Sequence, residues 1–273
     1  MEPKHYRLIE AFTQSKTGKE EHNEDRIFLG AHYAAVADGA TRTTGSTGPG
    51  KTGGQFCVDA IAVALEKLSP DAPAEEAAAL ICREIRTTEQ THNLKEQGIH
   101  CCAVAAIYSC SRREVWLIGD CNASVDGCVT SGAKRIDRVF GEVRAIMIHA
   151  LLSAGYTEAQ LLEDDESRKL ILPLIDHQRP LENAGGAYGY AVLNGTRLPD
   201  SIRVIPVEPG AEVILTTDGY PEVLPTLAQS EETLFRMIRQ DPLCYKTLQS
   251  TKGISRGCVS FDDRSYLRFQ TCL

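Results

Sequence analysis

The sequence reads as an α+β protein, and three observations carry that reading. Strand-like runs at 6–12, 26–29 and 33–37 follow one another across polar turns. Helical stretches come in blocks between such groups, with apolar residues spaced to fall on one face. Several apolar runs then end in a carboxylate, the clearest being Val36-Ala37-Asp38-Gly39.

The elements follow in order. After the third run comes a Thr/Gly-rich loop at 41–54, and then a predicted helix with Cys57, Ile61, Ala64, Leu65 and Leu68 on one face. Pro70 and Pro73 break it, and a second helix sets Ala78, Ile81, Cys82 and Ile85 in register. Strands are predicted at 101–108 and 114–118, the latter running into Gly119-Asp120. From about 138 to 178 the pattern is helical, with Val143, Ile146, Met147, Ala150 and Leu151 sharing a face and Thr157-x-x-Gln160 shaped as a capping box. Strands are then expected at 188–193, 202–206 and 212–216, the third running into Thr217-Asp218-Gly219. A helix near 231–239 and an alternating strand after Asp262-Asp263 close the chain. One domain spanning residues 1–273 is the simplest account, with 138–190 as a helical insertion or a lid.

Composition narrows the function classes. Hydrophobic content of 42% with 24% charged residues is that of an ordinary globular protein. The opening MEPKHYRLIE has no apolar core of the kind a signal peptide needs, and no run is long enough to span a bilayer, so a soluble cytoplasmic protein with no membrane partner is expected. Ten cysteines without a C-x-x-C imply neither a disulfide framework nor a zinc cluster. A net charge of −8 argues against a nucleic-acid partner gripped by its phosphates. Nothing in the sequence sets an oligomeric state.

Six acids meet strand ends: Glu24, Asp25, Asp38, Asp120, Asp218 and Asp262. Gathering that many carboxylates without cations is costly, so they are either dispersed on the surface or assembled around metal. All-oxygen ligation with no nearby His or Cys selects Mg²⁺ or Mn²⁺ over zinc. Two such ions, roughly 3.5–4 Å apart, hold a water between them and lower its pKa.

Their order also matches a family. Asn23-Glu24-Asp25, Ala37-Asp38-Gly39, Gly119-Asp120-Cys121, the stretch TTDGYPEVL at 216–224 and Asp262-Asp263-Arg264-Ser265 resemble the ordered motifs of the PPM family of metal-dependent protein serine/threonine phosphatases. The resemblance runs from about residue 18 to 269. It implies a four-layer α-β-β-α sandwich of two antiparallel sheets flanked by helices. It also implies hydrolysis of phosphoserine and phosphothreonine on a phosphoprotein substrate, by a water activated between two Mn²⁺ or Mg²⁺ ions. Carried over by position, Asp38 bridges the ions, Glu24 and the Gly39 carbonyl complete one, and Asp218 with Asp262 the other. Asp25 orients the water, and Asp120 stands where a third, weaker ion binds.

The departures concern the phosphate grip. Family members usually carry an arginine three residues before the Asn of the first motif, and here that position is Glu20. Lys19, adjacent to it, and Arg42, just past Asp38, are the candidate replacements, and neither stands at the position from which the family's arginine grips phosphate with a bidentate fork. Ala40 stands where many eukaryotic members have a histidine, and Asp263 where an asparagine is usual. A catalytically weak or inactive pseudophosphatase, using the same fold as a binding module, is therefore the alternative reading.

Two rival motifs carry less. Residues 45–52 satisfy G-x-x-x-x-G-K-[ST], yet they begin seven residues after Asp38 rather than directly at a strand end. Cys258 and Arg264 have the spacing of cysteine-dependent phosphatases, with two acids between them that would repel phosphate. Cys121 sits beside Asp120, whose charge would raise a thiol pKa and so argues against a nucleophile there.

Overall fold

A computed structural model describes residues 5–40, 50–198 and 202–273. In chain order its strands are β1 (Tyr6–Gln14), β2 (Asp25–Leu29), β3 (Tyr33–Gly39), β4 (Ala103–Ser109), β5 (Glu114–Ile118), β6 (Asn122–Val125), β7 (Cys128–Ser131), β8 (Arg203–Pro206), β9 (Glu212–Thr216) and β10 (Arg264–Thr271). They form two antiparallel five-stranded sheets, one ordered β1-β10-β9-β6-β7 and the other β2-β3-β4-β5-β8. The helices are α1 (Gly53–Lys67), α2 (Ala74–Thr91), α3 (Arg135–Ser153), α4 (Glu158–Glu163), α5 (Glu166–His177) and α6 (Leu227–Gln240).

Three apolar clusters build the layers. Between the sheets, Val36, Ala106 and Leu117 of one meet Leu215, Leu267 and Phe269 of the other. On the outer face of the second sheet, Ala35, Ile107 and Trp116 are covered by Ile61, Leu65, Ile81 and Ile85 of α1 and α2. On the outer face of the first, Ile214 and Tyr266 pack against Leu234 and Ile238 of α6. The expected four-layer α-β-β-α sandwich is therefore the observed one. Each fully buried side chain of this size stabilises the fold by about 1.5–3 kcal/mol. At the head of α1, Thr52 and Gln55 form a reciprocal capping box, which fixes where that helix starts.

Three expectations change. Residues 188–193 form no strand; only isolated bridges join Ala103 to Leu193 and Glu182 to Tyr190. The Asn183 side chain takes up the backbone there instead, accepting from the Val192 N–H at 2.9 Å and donating to the Val192 carbonyl at 3.0 Å. The hairpin β6–β7 comes in addition to the expected strands, turning on Asp126 and Gly127 with φ of 47° and 80°. An Asp-Gly pair between short strands is the local signal for such a turn. In α3 the buried face is Gly141, Arg144, Ala145 and Ile148, while Ile146 from the expected apolar face is 65% exposed.

Among the described residues no helix is long and apolar enough to cross a membrane.

Candidate metal centre

Strand alternation explains how distant acids meet. In β3, Ala34 and Val36 face the space between the sheets, whereas Tyr33, Ala35 and Ala37 face the helices. Asp38, two residues beyond Val36, therefore lies on the inter-sheet side at the strand's end. The register of β2 sets Asp25 opposite Asp38, two residues before Ile27, which packs on the inter-sheet core. From the other sheet, the alternation of Val213 and Leu215 brings Thr217 to the same side, and that of Leu267 and Phe269 brings Ser265.

The consequence is a hydrogen-bonded tie across the sandwich. The hydroxyls of Thr217 and Ser265 donate to Asp25 Oδ2 at 2.7 and 2.9 Å. Its second oxygen, Oδ1, is buried with no partner among the described residues.

A cavity of about 1100 Å³ opens at this end, lined by Glu24, Asp38, Gly39, Asp120, Asp218, Asp262 and Asp263 together with Lys16, Lys134 and Lys252. Glu24 is held at its edge by α1, where the Thr52 hydroxyl donates to Glu24 Oε1 at 2.5 Å. The start of α1 comes so close that a Cβ on Gly39 would lie 2.6 Å from the Gly54 backbone and 2.8 Å from the Glu24 carbonyl. Only glycine fits there, and the helix N-terminus favours the negative charge beside it.

Asp263 accepts the backbone N–H groups of Lys16 at 2.8 Å and Glu24 at 2.9 Å. Both bonds cannot survive in Asp263→Asn, whose amide N–H₂ would face one of those donors. We expect that variant to lose about 1–3 kcal/mol of stability, read from its urea midpoint.

The electrostatics are those of crowded like charges. Enclosure by protein, followed by the charges of Asp218, Asp25 and Asp262, holds the Asp38 carboxyl well above the usual carboxylate range. Burial raises Asp25 too, against the hydrogen bond from Thr217. Asp218 opens onto cavity solvent, yet its surroundings and Asp262 push it up to about 7. Asp262 moves the other way: its desolvation is outweighed by Lys252 and Lys16, and its pKa falls.

These shifts set a pH dependence. A carboxylate whose folded pKa lies above its unfolded value, about 3.9, binds its proton more tightly when folded, so stability is greatest below that value and declines as pH rises through the folded one. In chelator, the urea midpoint should fall as pH rises from 4 to 7 through the titration of Asp218, and Asp218→Asn should flatten the fall.

The lysines are the part that sequence reasoning missed. Lys252 Nζ touches Asp262 Oδ2, and Lys16 Nζ lies 3.6 Å from both Asp262 and Asp263. Lys134 Nζ is 2.7 Å from Asp120 and 3.6 Å from Asp137. Burial opposes the charge on Lys134, but Asp120 and Asp137 more than restore it, so its pKa rises. Asp38 and Asp218 have no hydrogen bond or ion pair to their side chains among the described residues. Among the described residues no three Asp, Glu, His or Cys side chains are grouped as ready metal ligands. The donor chemistry still fits a hard divalent cation: oxygen ligands, carboxylates on Asp38 and Asp218 with no direct ion pair among the described residues, and orphaned oxygens on Asp25 and Asp120.

The expected phosphate partners are not in the cavity wall. Lys19 is exposed ahead of the short turn Glu20–His22 and does not line the cavity. Arg42 lies outside the described residues, as do residues 45–49 of the P-loop-like stretch. Of the rest of that stretch, Lys51 pairs with Asp59 and Thr52 caps α1. Arg264 is spent on Glu231, at 2.7 and 2.9 Å, and makes no phosphate loop with Cys258. Cys121 is fully buried, and burial, then Asp38 and Asp120, push its thiol well up.

No family model matches the sequence, and no curated protein sequence matches it. Solved structures do. PppA, a regulatory component of the type VI secretion system in Pseudomonas aeruginosa, superimposes with a TM-score of 0.50 at 13% identity, covering 98% of this chain and 99% of that one. The Mycobacterium tuberculosis serine/threonine phosphatase PstP gives 0.48 at 15% identity over 97% and 98% of the two chains. Serine/threonine phosphatase 2C from Toxoplasma gondii gives 0.45 at 14% over 99% and 100%. This chain shares the fold of PppA.

Proposed function

We propose that this protein hydrolyses phosphate monoesters of serine and threonine on proteins in a reaction that depends on Mn²⁺ or Mg²⁺. The observation that carries this reading is the meeting of Asp38 and Asp218, from different sheets, in one cavity with no ion pair to offset either among the described residues. Glu24, Asp38, the Gly39 carbonyl and Asp218 would hold the cation, which supplies Lewis-acid charge and a lower water pKa at that point. Asp25 is immobilised through Oδ2 and leaves Oδ1 to accept a hydrogen bond from the attacking water. Water adds to phosphorus as the bond to the seryl or threonyl oxygen breaks, and that oxygen leaves with a proton.

Hydrolysis of an aryl phosphate and of a phosphoserine peptide should require added Mn²⁺ or Mg²⁺ and stop in excess chelator. Equal rates with and without chelator would sink the proposal. A second reading, a phosphoprotein-binding module without turnover, is favoured by one feature: Glu20, where the family resemblance expects the phosphate arginine, is exposed in the turn Glu20–His22. Binding of a phosphopeptide with no phosphate released over hours, in Mn²⁺, would establish that instead.

A further inference from the structure

Asp262 is met by two ammonium groups that arrive from different parts of the chain. Lys16 comes from the segment after β1, and Lys252 from the loop that follows α6. Together they carry the charge of one divalent ion. They also occupy the side of the Asp262 carboxylate that such an ion would use, since an ammonium and a metal compete for the same oxygen lone pairs. Lys134 does the same at Asp120, 2.7 Å away, with its Nζ placed 5.2 Å from the centre of the Tyr190 ring. Asp38 and Asp218, in contrast, face the cavity with no ammonium group in direct contact among the described residues, although Lys252 and Lys134 lie near enough to act on Asp218.

We propose that Lys16 and Lys252 replace one divalent cation at Asp262, and Lys134 another at Asp120, so that the centre binds a single ion, held by Asp38, Glu24 and Asp218. This rests on the metal-dependent reading above and changes its stoichiometry. A second ion at Asp262 would have to evict two lysines into a crowded cavity where their charges repel it. The lysines are built in: Asp263, which holds the Lys16 and Glu24 backbones, fixes one, and the 243–251 segment tied to α3 by Arg144 carries the other.

Titration of the metal-free full chain with Mn²⁺, followed by calorimetry and by electron paramagnetic resonance, decides the matter without reference to turnover. The wild type should take up one Mn²⁺ with the spectrum of an isolated ion. Lys16→Met with Lys252→Met should take up two, with the broadening of a spin-coupled pair. Should that double variant fail to fold by circular dichroism, Lys252→Gln alone should strengthen a second Mn²⁺ site at least tenfold. Two coupled ions in the wild type would overturn the lysine assignment while leaving metal dependence intact, as would a folded double variant that still takes up one. No Mn²⁺ uptake by any of these proteins would overturn both readings together.

Discussion

Asp38→Asn should lose more than ~100-fold in Mn²⁺-dependent hydrolysis while leaving the protein folded and, in chelator, more stable than the wild type. The loss exceeds the 10–100-fold typical of residues that only support a ligand, because Asp38 itself supplies the uncompensated charge. The gain in stability follows from the same crowding. Enclosure and the neighbouring Asp218, Asp25 and Asp262 charges all disfavour the ionised Asp38. Replacing the charge with a neutral amide of the same shape removes that repulsion, and a gain of about 0.5–2 kcal/mol is the scale expected when a strained functional group is neutralised. Activity and chemical denaturation, measured on the same preparation, separate the two effects. If activity and stability fall together, Asp38 serves the fold and the metal-site assignment is wrong.

The legible part of this centre and the hidden part differ in how local their signals are. Asp38 and Asp218 could be picked out because each is written into a few consecutive residues: an apolar strand, a carboxylate, a glycine. Alternation from Val36 sends Asp38 to the inter-sheet side, whereas Asp218 directly follows Thr217, the residue that alternation carries there, and reaches the cavity from the turn beyond β9. The sandwich was legible only through the family resemblance, since β3 and β9 are apolar on both faces and their residues name no partner strand. Lys16, Lys134 and Lys252 had no such signal. They stand in polar segments where lysine is ordinary, and only tertiary packing brings them against Asp262 and Asp120.

A charged residue also misdirected the reading of α3. Periodicity seeks apolar residues, so it chose Val143, Ile146 and Met147, whereas the buried stripe is centred on Arg144, which is fully enclosed. The short strands β6 and β7 failed to register because Asn122, Ser124, Thr130 and Ser131 dilute their apolar character. Residues 188–193 misled in the opposite way, since an apolar run there satisfies its backbone through Asn183 rather than a neighbouring strand.

Arg144→Met should destabilise the protein by about 3–5 kcal/mol, the cost of breaking a buried ion pair and leaving its partners unmatched. The guanidinium donates to Asp165 Oδ2 at 2.5 and 3.2 Å, and to the carbonyls of Leu243 at 2.7 Å and Ser250 at 3.1 Å. Asp165 is in turn the N-cap of α5, accepting the Arg168 N–H at 2.9 Å. One side chain thus joins α3, the start of α5 and the segment leading to Lys252. The approach is close enough that a Cβ on Gly141 would lie 1.9 Å from the Gln249 carbonyl, so α3 has no room to be anything but seated there. Methionine fills the space of the arginine stem but cannot serve the carbonyls or the Asp165 charge. If the helical block were a lid that lifts during turnover, these contacts would be broken and remade, and Arg144→Met would cost under ~1 kcal/mol. A fixed insertion predicts the larger loss, together with faster amide exchange across 243–252 in the variant. A small loss with unchanged exchange would show that the block moves and that Lys252 moves with it.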